Sequence, residues 1–471
     1  MNARIGAWEV LLAAPWRRPR EGAERVHRRP PRALWQGLRR HGERGTVVAA
    51  LLLALWSWEL KHPALFSLRP LETALILGLG AAGLGWALHR RQTDRLRRVT
   101  SGLVLLGCSA AILLALVQEG WFRWQRWQVL QAPPLMRVLG AHFVVGFRDY
   151  AELAPLAERG LIGGIYLTRR NVAGRSLGEV RAEIDKLQAL RRQAGLPPLF
   201  VAADQEGGDV SHLSPLLPAQ PPLARLAGLQ TGERGLAAYR YGQQQGGALQ
   251  ALGVNLNLSP VVDLKPEKRG GWVDTHTLIH KRAIATDPAI VEQVAAAYVR
   301  GLQTRAVQGT LKHFPGLGQV RADTHHRPAR LPLGLDRLQR EWRPFRDISQ
   351  RTGAAIMVGH VTVDAVDAAR PASTSRAVID GLIRRQWQYD GLILTDDLNM
   401  GAVRHLGITN AARACLNAGA DLVLLTYDPD QYFRVMHELH RAYRRGAVDD
   451  LQLAHAKGRI RQHWRMFAGV T

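Results

Sequence analysis

The ten residues Gly391-Leu392-Ile393-Leu394-Thr395-Asp396-Asp397-Leu398-Asn399-Met400 carry the pattern that predicts the fold of this chain. The first four form a short apolar run with the length and composition expected of a buried β-strand. Acidic side chains follow the run directly, and a helical stretch begins soon afterwards at Asn410. Because the same order of apolar run, polar turn and amphipathic stretch recurs from about Met136 onward, it indicates parallel strands joined by helices.

Eight apolar runs of this kind occur in the chain. They span residues 143–147, 164–167, 199–203, 254–258, 309–311, 355–358, 391–394 and 422–425. Helical stretches rich in Ala, Arg, Leu and Glu separate them, for example residues 176–194 and 288–306. Eight repeats of strand and helix predict an α/β fold, a (β/α)₈ barrel of the TIM type, for which ~250 residues or more is usual.

Charged, polar or imidazole side chains follow nearly every apolar run. They are Arg148, Arg169 with Arg170, Asp204, Asn257 with Asp263, Lys312 with His313, His360, Asp396 with Asp397, and Tyr427 with Asp428. In a (β/α)₈ barrel the loops after the C-terminal ends of the strands converge on one mouth, which carries the active site. The sequence therefore predicts a site at that mouth for a polar, hydroxyl-rich ligand.

Three separated motifs carry a resemblance to a known family. They are Asp204-Gln205-Glu206-Gly207-Gly208, the stretch from Lys312-His313-Phe314-Pro315-Gly316 to Asp323-Thr324-His325, and Thr395-Asp396-Asp397-Leu398. In this order they resemble the β-N-acetylhexosaminidase (NagZ-type) branch of glycoside hydrolase family 3, over roughly residues 136–471. The resemblance implies a glycosidase without a cofactor, and no cluster in the sequence has convincing metal-ligand spacing.

Asp396 is the candidate nucleophile. Glycoside cleavage develops positive charge on the sugar ring, so a carboxylate is needed beside the anomeric carbon. The resemblance places this carboxylate at the first Asp of the motif after the seventh strand, which leaves Asp397 as a structural neighbour. The alternative from the residues alone is that Asp396 caps the next helix, since Asp is a favoured N-cap residue.

The pair Asp323 and His325 is the candidate for proton transfer. A group that titrates near neutral pH must protonate the leaving oxygen and later deprotonate water. The family branch resembles this chain in carrying an Asp and a His two residues apart on a loop after the fifth strand, which implies that His325 is the acid/base and Asp323 orients it. His326 is a rival for the same role by proximity.

Six further residues are candidates for substrate binding, as the resemblance or their position implies. They are Asp204, Arg282, Lys312, His313, His360 and Met400. The chain departs from the family at two positions in these motifs: Leu317 stands where the second His of the Lys-His motif is usual, and Asp209 stands where an Arg usually follows the paired glycines. Neither departure affects the proposed nucleophile or acid/base, so we expect activity to be retained, and the two departures leave the subsite preference open.

The formal net charge of +24 is distributed unevenly along the chain. Arginines crowd the first 45 residues and a second stretch over residues 90–98, and both border apolar segments at residues 46–60, 73–88 and 99–117. A membrane-spanning helix needs roughly 20 apolar residues, so the third segment has the right length and the first two are short. The pattern predicts about three transmembrane helices, with a buried hairpin of a soluble domain as the alternative.

The flanking arginines predict the orientation of these helices, because positively charged loops stay in the cytoplasm. The predicted order is a basic cytoplasmic arm over residues 1–45, an all-α transmembrane region over residues 46–118, a linker over residues 119–135 and a glycoside hydrolase domain over residues 136–471. The poorly charged loop at residues 61–70 and everything after Val117 then lie outside. Trp121, Trp124 and Trp127 suit the headgroup zone, although packing against the soluble domain fits them nearly as well.

Together these features predict a multi-pass, membrane-anchored retaining β-N-acetylhexosaminidase of the inner (cytoplasmic) membrane, with its catalytic domain on the periplasmic or extracytoplasmic side. Its expected partners are the lipid bilayer and a GlcNAc-containing glycan, with terminal β-linked GlcNAc of peptidoglycan-derived fragments as the substrate. Nucleic acid is not expected, because the membrane topology accounts for much of the charge. The sequence indicates no oligomeric state.

Two other classes of protein stay open at this point. One is a catalytically decayed barrel that binds glycans at the membrane, suggested by the departures at Leu317 and Asp209. The other is a basic membrane protein that binds polyanions, suggested by the net charge.

Overall fold

The computed structural model describes residues 32–90, 95–131, 133–214, 216–266 and 277–467. Most of the basic arm predicted for residues 1–45 lies outside the described residues, as does part of the predicted loop at residues 90–98. The chain forms two compact units. One is drawn from Met1–Trp58 and Ile76–Leu114, and the other from Glu59–Leu75 and Ala115–Thr471.

The elements follow one another in the order expected of alternating strands and helices. The strands of the barrel are β1 Phe143–Val145, β2 Gly164–Leu167, β3 Phe200–Ala203, β4 Leu256–Asn257, β5 Gln308–Phe314, β6 Ala355–Val358, β7 Ile393–Asp397 and β8 Leu422–Leu425. The α-helices are α1 Arg32–Trp58, α2 Glu72–Arg90, α3 Arg95–Leu130, α4 Pro134–Gly140, α5 Ala154–Glu158, α6 Arg169–Val172, α7 Leu177–Gln193, α8 Ala224–Ala227, α9 Thr231–Leu252, α10 Ile279–Arg282, α11 Pro288–Gln303, α12 Leu335–Thr352, α13 Gly401–Arg404, α14 Ile408–Ala418, α15 Pro429–Arg444 and α16 Asp450–Phe467.

The eight strands close into a parallel barrel. Each strand pairs with the next in the chain, and β8 pairs with β1 through the register Phe143 to Val423. All eight predicted apolar runs coincide with these strands, so the predicted (β/α)₈ barrel is confirmed. The active-site mouth of such a barrel is formed by the loops after the strands.

Alternating side chains of the strands form one buried cluster, as expected for the interior of a barrel. Its members are Val144, Tyr166, Phe200, Ala202, Leu256, Leu258, Ala355, Met357, Leu392, Leu394, Leu422, Leu424 and Ile460. Trp464 on α16 packs against this cluster, and its ring centroid lies 4.6 Å from that of Phe200. Because Phe200 begins β3, α16 covers the N-terminal end of the barrel, which leaves the C-terminal end for a site.

The outer helices present one apolar face each to the strands, as α11 illustrates. The Asp287 side chain caps its first turn by accepting from the Ala289 amide at 2.9 Å, and Pro288 occupies the first helical position. Val291 and Val294 then lie on its fully buried face. This spacing of apolar residues is that of an amphipathic helix covering a core.

Two small sheets stand apart from the barrel. Gln205–Gly207 and Val210–Ser211 form an antiparallel hairpin directly after β3. Ala329–Leu331 pairs in parallel with Val361–Val363, which also pairs with Asp367–Pro371. The second sheet joins the connections after β5 and β6, and it thereby anchors the end of the loop that carries Asp323 and His325.

The unit formed by α1, α2 and the first part of α3 is held together by small side chains. Ala50, Ala87, Val104 and Cys108 form its buried cluster. A Cβ added at Gly83 would lie 2.5 Å from the Cys108 sulfur, so these helix backbones approach closely. Close approach through small residues is typical of helices packed inside a membrane, although it also occurs in soluble bundles.

Among the described residues one helix is long and apolar enough to cross a membrane by length and composition, over Arg97–Leu130. Helices do form at all three predicted positions, as α1, α2 and α3. Helices α1 and α2, at the first two predicted positions, have 27 and 19 residues but are not apolar enough to meet this criterion. The three-helix transmembrane region therefore stays a prediction.

Candidate active site

A cavity of about 670 Å³ lies at the C-terminal end of the barrel. Of the nine predicted site residues it is lined by Asp204, Arg282, Lys312, His313, His325, Asp396 and Met400. Asp323 and His360 do not line it. Asp323 contacts His325 and His360 contacts Asp397, and both of those residues do line the cavity. Folding thus brings residues that follow four different strands around one space.

Asp396 lies near the end of β7, on the wall of the cavity. Its Oδ1 accepts a hydrogen bond from the amide of Asp397 at 2.9 Å. Burial would raise the pKa of this carboxyl, but the imidazoles of His313, His360 and His325 outweigh burial, and the pKa falls below its usual value. Asp396 is therefore held as a carboxylate, which is the state that a nucleophile requires.

Asp397, the next residue, is engaged by its own surroundings. Its Oδ1 accepts from the amide and side chain of Asn399 at 2.9 and 2.8 Å, and the Thr426 hydroxyl donates to Oδ2. These bonds tie the loop after β7 to the end of β8. The two adjacent aspartates therefore differ in kind, with Asp397 fixing the loop and Asp396 facing the cavity beside three imidazoles.

Asp323 and His325 form a hydrogen-bonded dyad on the loop after β5. The His325 Nδ1 lies 3.0 Å from Asp323 Oδ1, which also accepts from the His325 amide at 3.0 Å and the Thr277 hydroxyl at 3.3 Å. The side chain of Asp323 is 2% exposed and that of His325 is 42% exposed. Because the aspartate holds Nδ1, proton exchange with a ligand falls to Nε2 of the imidazole.

The loop that bears the dyad rests on the loop after β7. The Gly401 amide donates to the His325 carbonyl at 2.7 Å, and the Ala402 amide donates to the Thr324 carbonyl at 3.1 Å. A Cβ added at Gly401 would lie 2.4 Å from the carbonyl carbon of His326, so only glycine permits this approach. His326 also lines the cavity, and the geometry leaves it as a rival of His325.

Four charged side chains with little solvent exposure form a compact cluster at the wall of the cavity. Lys312 forms ion pairs with Asp204 and, at 2.7 Å, with Glu206. Arg282 binds Glu206 through two nitrogens, at 2.6 and 3.0 Å. Two cations thus face two carboxylates, and planar bidentate pairing fixes their orientation.

The protonation states of this cluster follow from its pairing. Burial opposes ionisation of Asp204 and Glu206, but Lys312 lowers the pKa of Asp204, and Arg282 together with Lys312 lowers that of Glu206 to about 2. Burial likewise opposes the charge of Lys312, but Asp204 and Glu206 raise its pKa. A fixed array of donors and acceptors of this kind is suited to sugar hydroxyls.

His313 is oriented by Asp263, which follows β4. Asp263 Oδ2 lies 2.8 Å from His313 Nδ1, and its Oδ1 accepts from the Leu317 amide at 2.7 Å. Leu317, the apolar residue at the unusual position, lines the cavity while its backbone supports the same aspartate. The other unusual residue, Asp209, is exposed and lies 3.9 Å from Lys281.

His360 stands behind the wall of the cavity. Its Nδ1 lies 2.8 Å from the Ser373 hydroxyl and its Nε2 lies 3.1 Å from the carbonyl of Asp397. Burial lowers its pKa. In this position His360 supports the end of β7, and Met400 lines the cavity nearby.

A metal site is not formed by these groups. Within the described ranges, no set of three or more His, Cys, Asp or Glu side chains is arranged to hold a metal ion.

The sequence profile of the glycosyl hydrolase family 3 N terminal domain matches residues 136–462. The chain belongs to glycoside hydrolase family 3. The match covers all eight strands of the barrel and includes all nine predicted site residues.

Individual relatives agree with this assignment. A protein of Nitrosomonas eutropha named beta-hexosaminidase is 32% identical over 308 residues, which cover 64% of this chain and 84% of that protein. A family 3 beta-N-acetylglucosaminidase from Paenibacillus sp. str. FPU-7 has a TM-score of 0.64 and 30% identity, covering 71% of this chain and 62% of that one. A family 3 glycosyl hydrolase from Mycobacterium smegmatis has a TM-score of 0.62 and 30% identity, covering 71% of this chain and 98% of that one.

This family 3 glycosidase has cavity residues that the sequence motifs did not indicate. The Tyr166 hydroxyl donates to Asp204 and lies 3.1 Å from His212 Nδ1. Tyr166 lies in an apolar run, so the sequence predicts a core residue there. Only the inward direction of its side chain in β2 could have indicated that it belongs to the site. His212 follows the small hairpin after β3, and its sequence context gives no signal for the site. Tyr427, the polar residue noted after β8, also lines the cavity.

Proposed function

We infer that this family 3 glycosidase is a retaining β-N-acetylhexosaminidase that removes terminal β-linked GlcNAc. The observation that carries the proposal is that Asp396 of β7 and His325 of the loop after β5 line one cavity, with Asp323 hydrogen-bonded to His325 behind it. Relatives named beta-hexosaminidase and beta-N-acetylglucosaminidase support the choice of sugar.

The first chemical step forms a bond between enzyme and sugar. The Asp396 carboxylate attacks the anomeric carbon while protonated His325 gives its Nε2 proton to the glycosidic oxygen, so that the leaving sugar departs as an alcohol. Asp323 stabilises the charged imidazole before the transfer. The products of this step are a glycosyl ester on Asp396 and a neutral His325.

The second step restores the enzyme. Neutral His325 takes a proton from water, the resulting hydroxyl attacks the anomeric carbon, and the ester bond to Asp396 breaks. The two displacements each invert the anomeric carbon, so the product keeps the β-configuration. Free GlcNAc, the carboxylate of Asp396 and a protonated His325 remain.

The use of an imidazole as the proton carrier has a consequence for the choice of substrate. His325 is cationic before the proton transfer and neutral after it, so it never places a negative charge beside an anionic leaving group, whereas a carboxylic acid in this role would become a carboxylate and repel it. This tolerance suits the lactate-bearing sugars of peptidoglycan. Peptidoglycan-derived fragments are therefore the proposed natural substrates.

The proposed membrane anchor rests on α3 and on the segment before α2. The C-terminal part of the helix α3, after its apolar part, bears the exposed side chains of Trp121, Trp124 and Trp127, which suit the membrane interface. The segment over residues 60–71 contacts the barrel through Lys61 and Arg69, so it must lie on the same side of a membrane as the barrel. The predicted topology also puts the loop at residues 61–70 and the barrel on one side, and this supports three crossings, with the barrel outside the cytoplasm and the protein in the inner membrane.

The experiment for the activity uses the full chain in detergent with 4-nitrophenyl β-glycosides. We expect turnover of the GlcNAc substrate, little turnover of the glucose substrate, and loss of activity in Asp396→Asn. Proton NMR of the first product should show β-GlcNAc before mutarotation. Preference for glucose would refute the assigned sugar, and α-GlcNAc as first product would refute the retaining mechanism.

The experiment for the anchor is separate. Protease added to intact spheroplasts should cleave the barrel domain, and the chain should fractionate with membranes after a carbonate wash. A barrel that is protected in spheroplasts and cleaved only after lysis would contradict the proposed orientation.

A further inference from the structure

The segment over residues 60–71, which we call the rim segment, lies against the first turns of α15 and the loop between β8 and α15. Gln431 donates to the Lys61 carbonyl at 3.0 Å, and Arg434 donates to the Leu60 carbonyl at 3.1 Å. The segment and the barrel belong to the same compact unit. Residues that come before the whole glycosidase domain in sequence therefore form part of the edge of the barrel.

Buried charges fix the rim segment in place. Arg69, with a side chain 3% exposed, forms an ion pair with Asp428, which is fully buried. Lys61 lies 3.2 Å from Glu119 and 3.5 Å from Asp430. Breaking a buried ion pair leaves an uncompensated charge, so these contacts hold the segment firmly in one position.

The held segment places Phe66 beside a residue of the cavity. Its ring centroid lies 5.3 Å from that of Tyr427, and the Arg170 guanidinium lies 5.0 Å over the Phe66 ring. Phe66 is 7% exposed, whereas Tyr427 is 47% exposed and lines the cavity. The buried ring of Phe66 therefore packs against Tyr427, and the exposed ring of Tyr427 is accessible to a ligand in the cavity.

Tyr427 differs from the polar wall of the cavity in both exposure and chemistry. The paired charges of Lys312 and Asp204, with side chains 3% and 18% exposed, suit the hydroxyls of the sugar that is enclosed. An exposed aromatic ring suits the apolar face of a sugar ring nearer to solvent. For a terminal residue removed from a glycan, the ring nearer to solvent is the one that carries the leaving oxygen.

We propose that Phe66 and Arg69 of the rim segment hold Tyr427 as an aromatic platform for the leaving-group sugar. The inference rests on the proposed function, since it assumes a glycan whose terminal GlcNAc occupies the polar end of the cavity. Phe66 and Arg69 are positioning residues, because they act through Tyr427. The segment that joins the first two apolar helices thus contributes to the choice of substrate.

The test measures binding rather than cleavage, in the full chain carrying Asp396→Asn. Calorimetry gives the Kd for GlcNAc and for its β-1,4-linked disaccharide. Adding Phe66→Ala or Tyr427→Ala should raise the Kd of the disaccharide about fivefold, as expected from loss of one aromatic contact, and leave the Kd of GlcNAc within about twofold. Tyr427→Phe, which keeps the ring, and Leu71→Ala, which alters an exposed side chain of the rim segment, should match the parent chain.

Each other outcome overturns the platform. Equal losses for both sugars indicate a general structural role, and an equal loss in Tyr427→Phe and Tyr427→Ala assigns the effect to the hydroxyl. Binding of neither sugar by the parent chain overturns both the platform and the proposed function. Wild-type turnover of the aryl GlcNAc substrate tests the proposed function alone, because binding in the Asp396→Asn chain requires no cleavage.

Discussion

The amide of Gly401 donates a hydrogen bond to the carbonyl of His325 across 2.7 Å. This bond joins the loop after β7, the strand that carries Asp396, to the loop after β5, which carries the Asp323–His325 dyad. The two loops are about 75 residues apart in sequence, and their contact sets the position of the proton carrier relative to the nucleophile. The geometry of the proposed mechanism therefore depends on how closely the two backbones approach at Gly401.

Gly401→Ala should disturb this geometry without unfolding the barrel. The added methyl group would lie 2.4 Å from the His326 carbonyl carbon, so the dyad loop must shift. A misplacement of about 1 Å lowers turnover by about 10²-fold. Steady-state kcat and the far-UV circular dichroism of the variant check this. Gly178→Ala, in the open on α7, is the matched control, and unchanged kcat in Gly401→Ala would contradict the proposed dependence.

Asp396 is predicted to be the residue that bonds to the sugar. Asp396→Asn should lower kcat by at least about 10³-fold, because an amide cannot serve as the nucleophile. In Asp396→Gly, added azide should restore turnover and give the α-glycosyl azide, the product of one displacement. Asp390→Asn, which changes an exposed carboxylate before the same strand, should remain active. Rescue that yields the β-azide would argue against a nucleophile at this position.

His325 is predicted to protonate the leaving oxygen, so the effect of removing it should depend on the leaving group. His325→Gln should lower kcat/KM for the GlcNAc disaccharide by about 10²–10⁴-fold, and much less for a dinitrophenyl glycoside, which departs without a proton. Asp323→Asn should show the same selectivity with smaller losses. His326→Gln is the comparison that decides between the two imidazoles: a leaving-group effect in that variant alone would transfer the role to His326.

The barrel was predictable because its signal is local and repeated. Each strand is an apolar run that is buried on both faces, and β7 shows how the following polar residues mark the C-terminal end. The contact between Asp323 and His325 was also predictable, since the two residues are two positions apart and the backbone turn brings them together. That the dyad acts together with Asp396 is a prediction about tertiary contact, and in the structure His325 and Asp396 line the same cavity.

The remaining site residues depend on contacts that sequence patterns do not record. Tyr166 looks like a core residue because its run is apolar, and its hydroxyl meets Asp204 only through the inward alternation of β2. The rim segment precedes the domain, so no motif connects Phe66 with Tyr427. His360 was assigned to the pocket from its strand end, yet the turn after β6 directs it toward Ser373.

The buried carboxyl of Glu341, beside the turn after β5, is predicted to make the stability of the chain depend on pH. Glu341 on α12 lies against the turn after β5, where a Cβ added at Gly316 or Gly318 would come within 3.5 to 3.6 Å of its Oε2. Burial, and secondarily the charge of Asp263, raises the pKa of Glu341 to about 7. Asp263 also holds His313 and the Leu317 amide, so ionisation of Glu341 places a second negative charge near that network.

The pKa of Glu341 is higher in the folded chain than in the unfolded one, so folding is favoured when this carboxyl is neutral. The unfolded carboxyl has its ordinary pKa of 4.5, so the stability associated with neutral Glu341 is fully present below that pH and is lost as the pH rises through about 7. Glu341→Gln should therefore raise the melting temperature at pH 8 by several degrees, corresponding to roughly 1–3 kcal/mol, and leave it nearly unchanged at pH 5. Differential scanning fluorimetry between pH 5 and 8 measures both. Glu158→Gln, an exposed change on α5, should alter neither value. A Glu341→Gln chain that melts lower than wild type at pH 8 would show that the ionised carboxylate contributes a favourable interaction there.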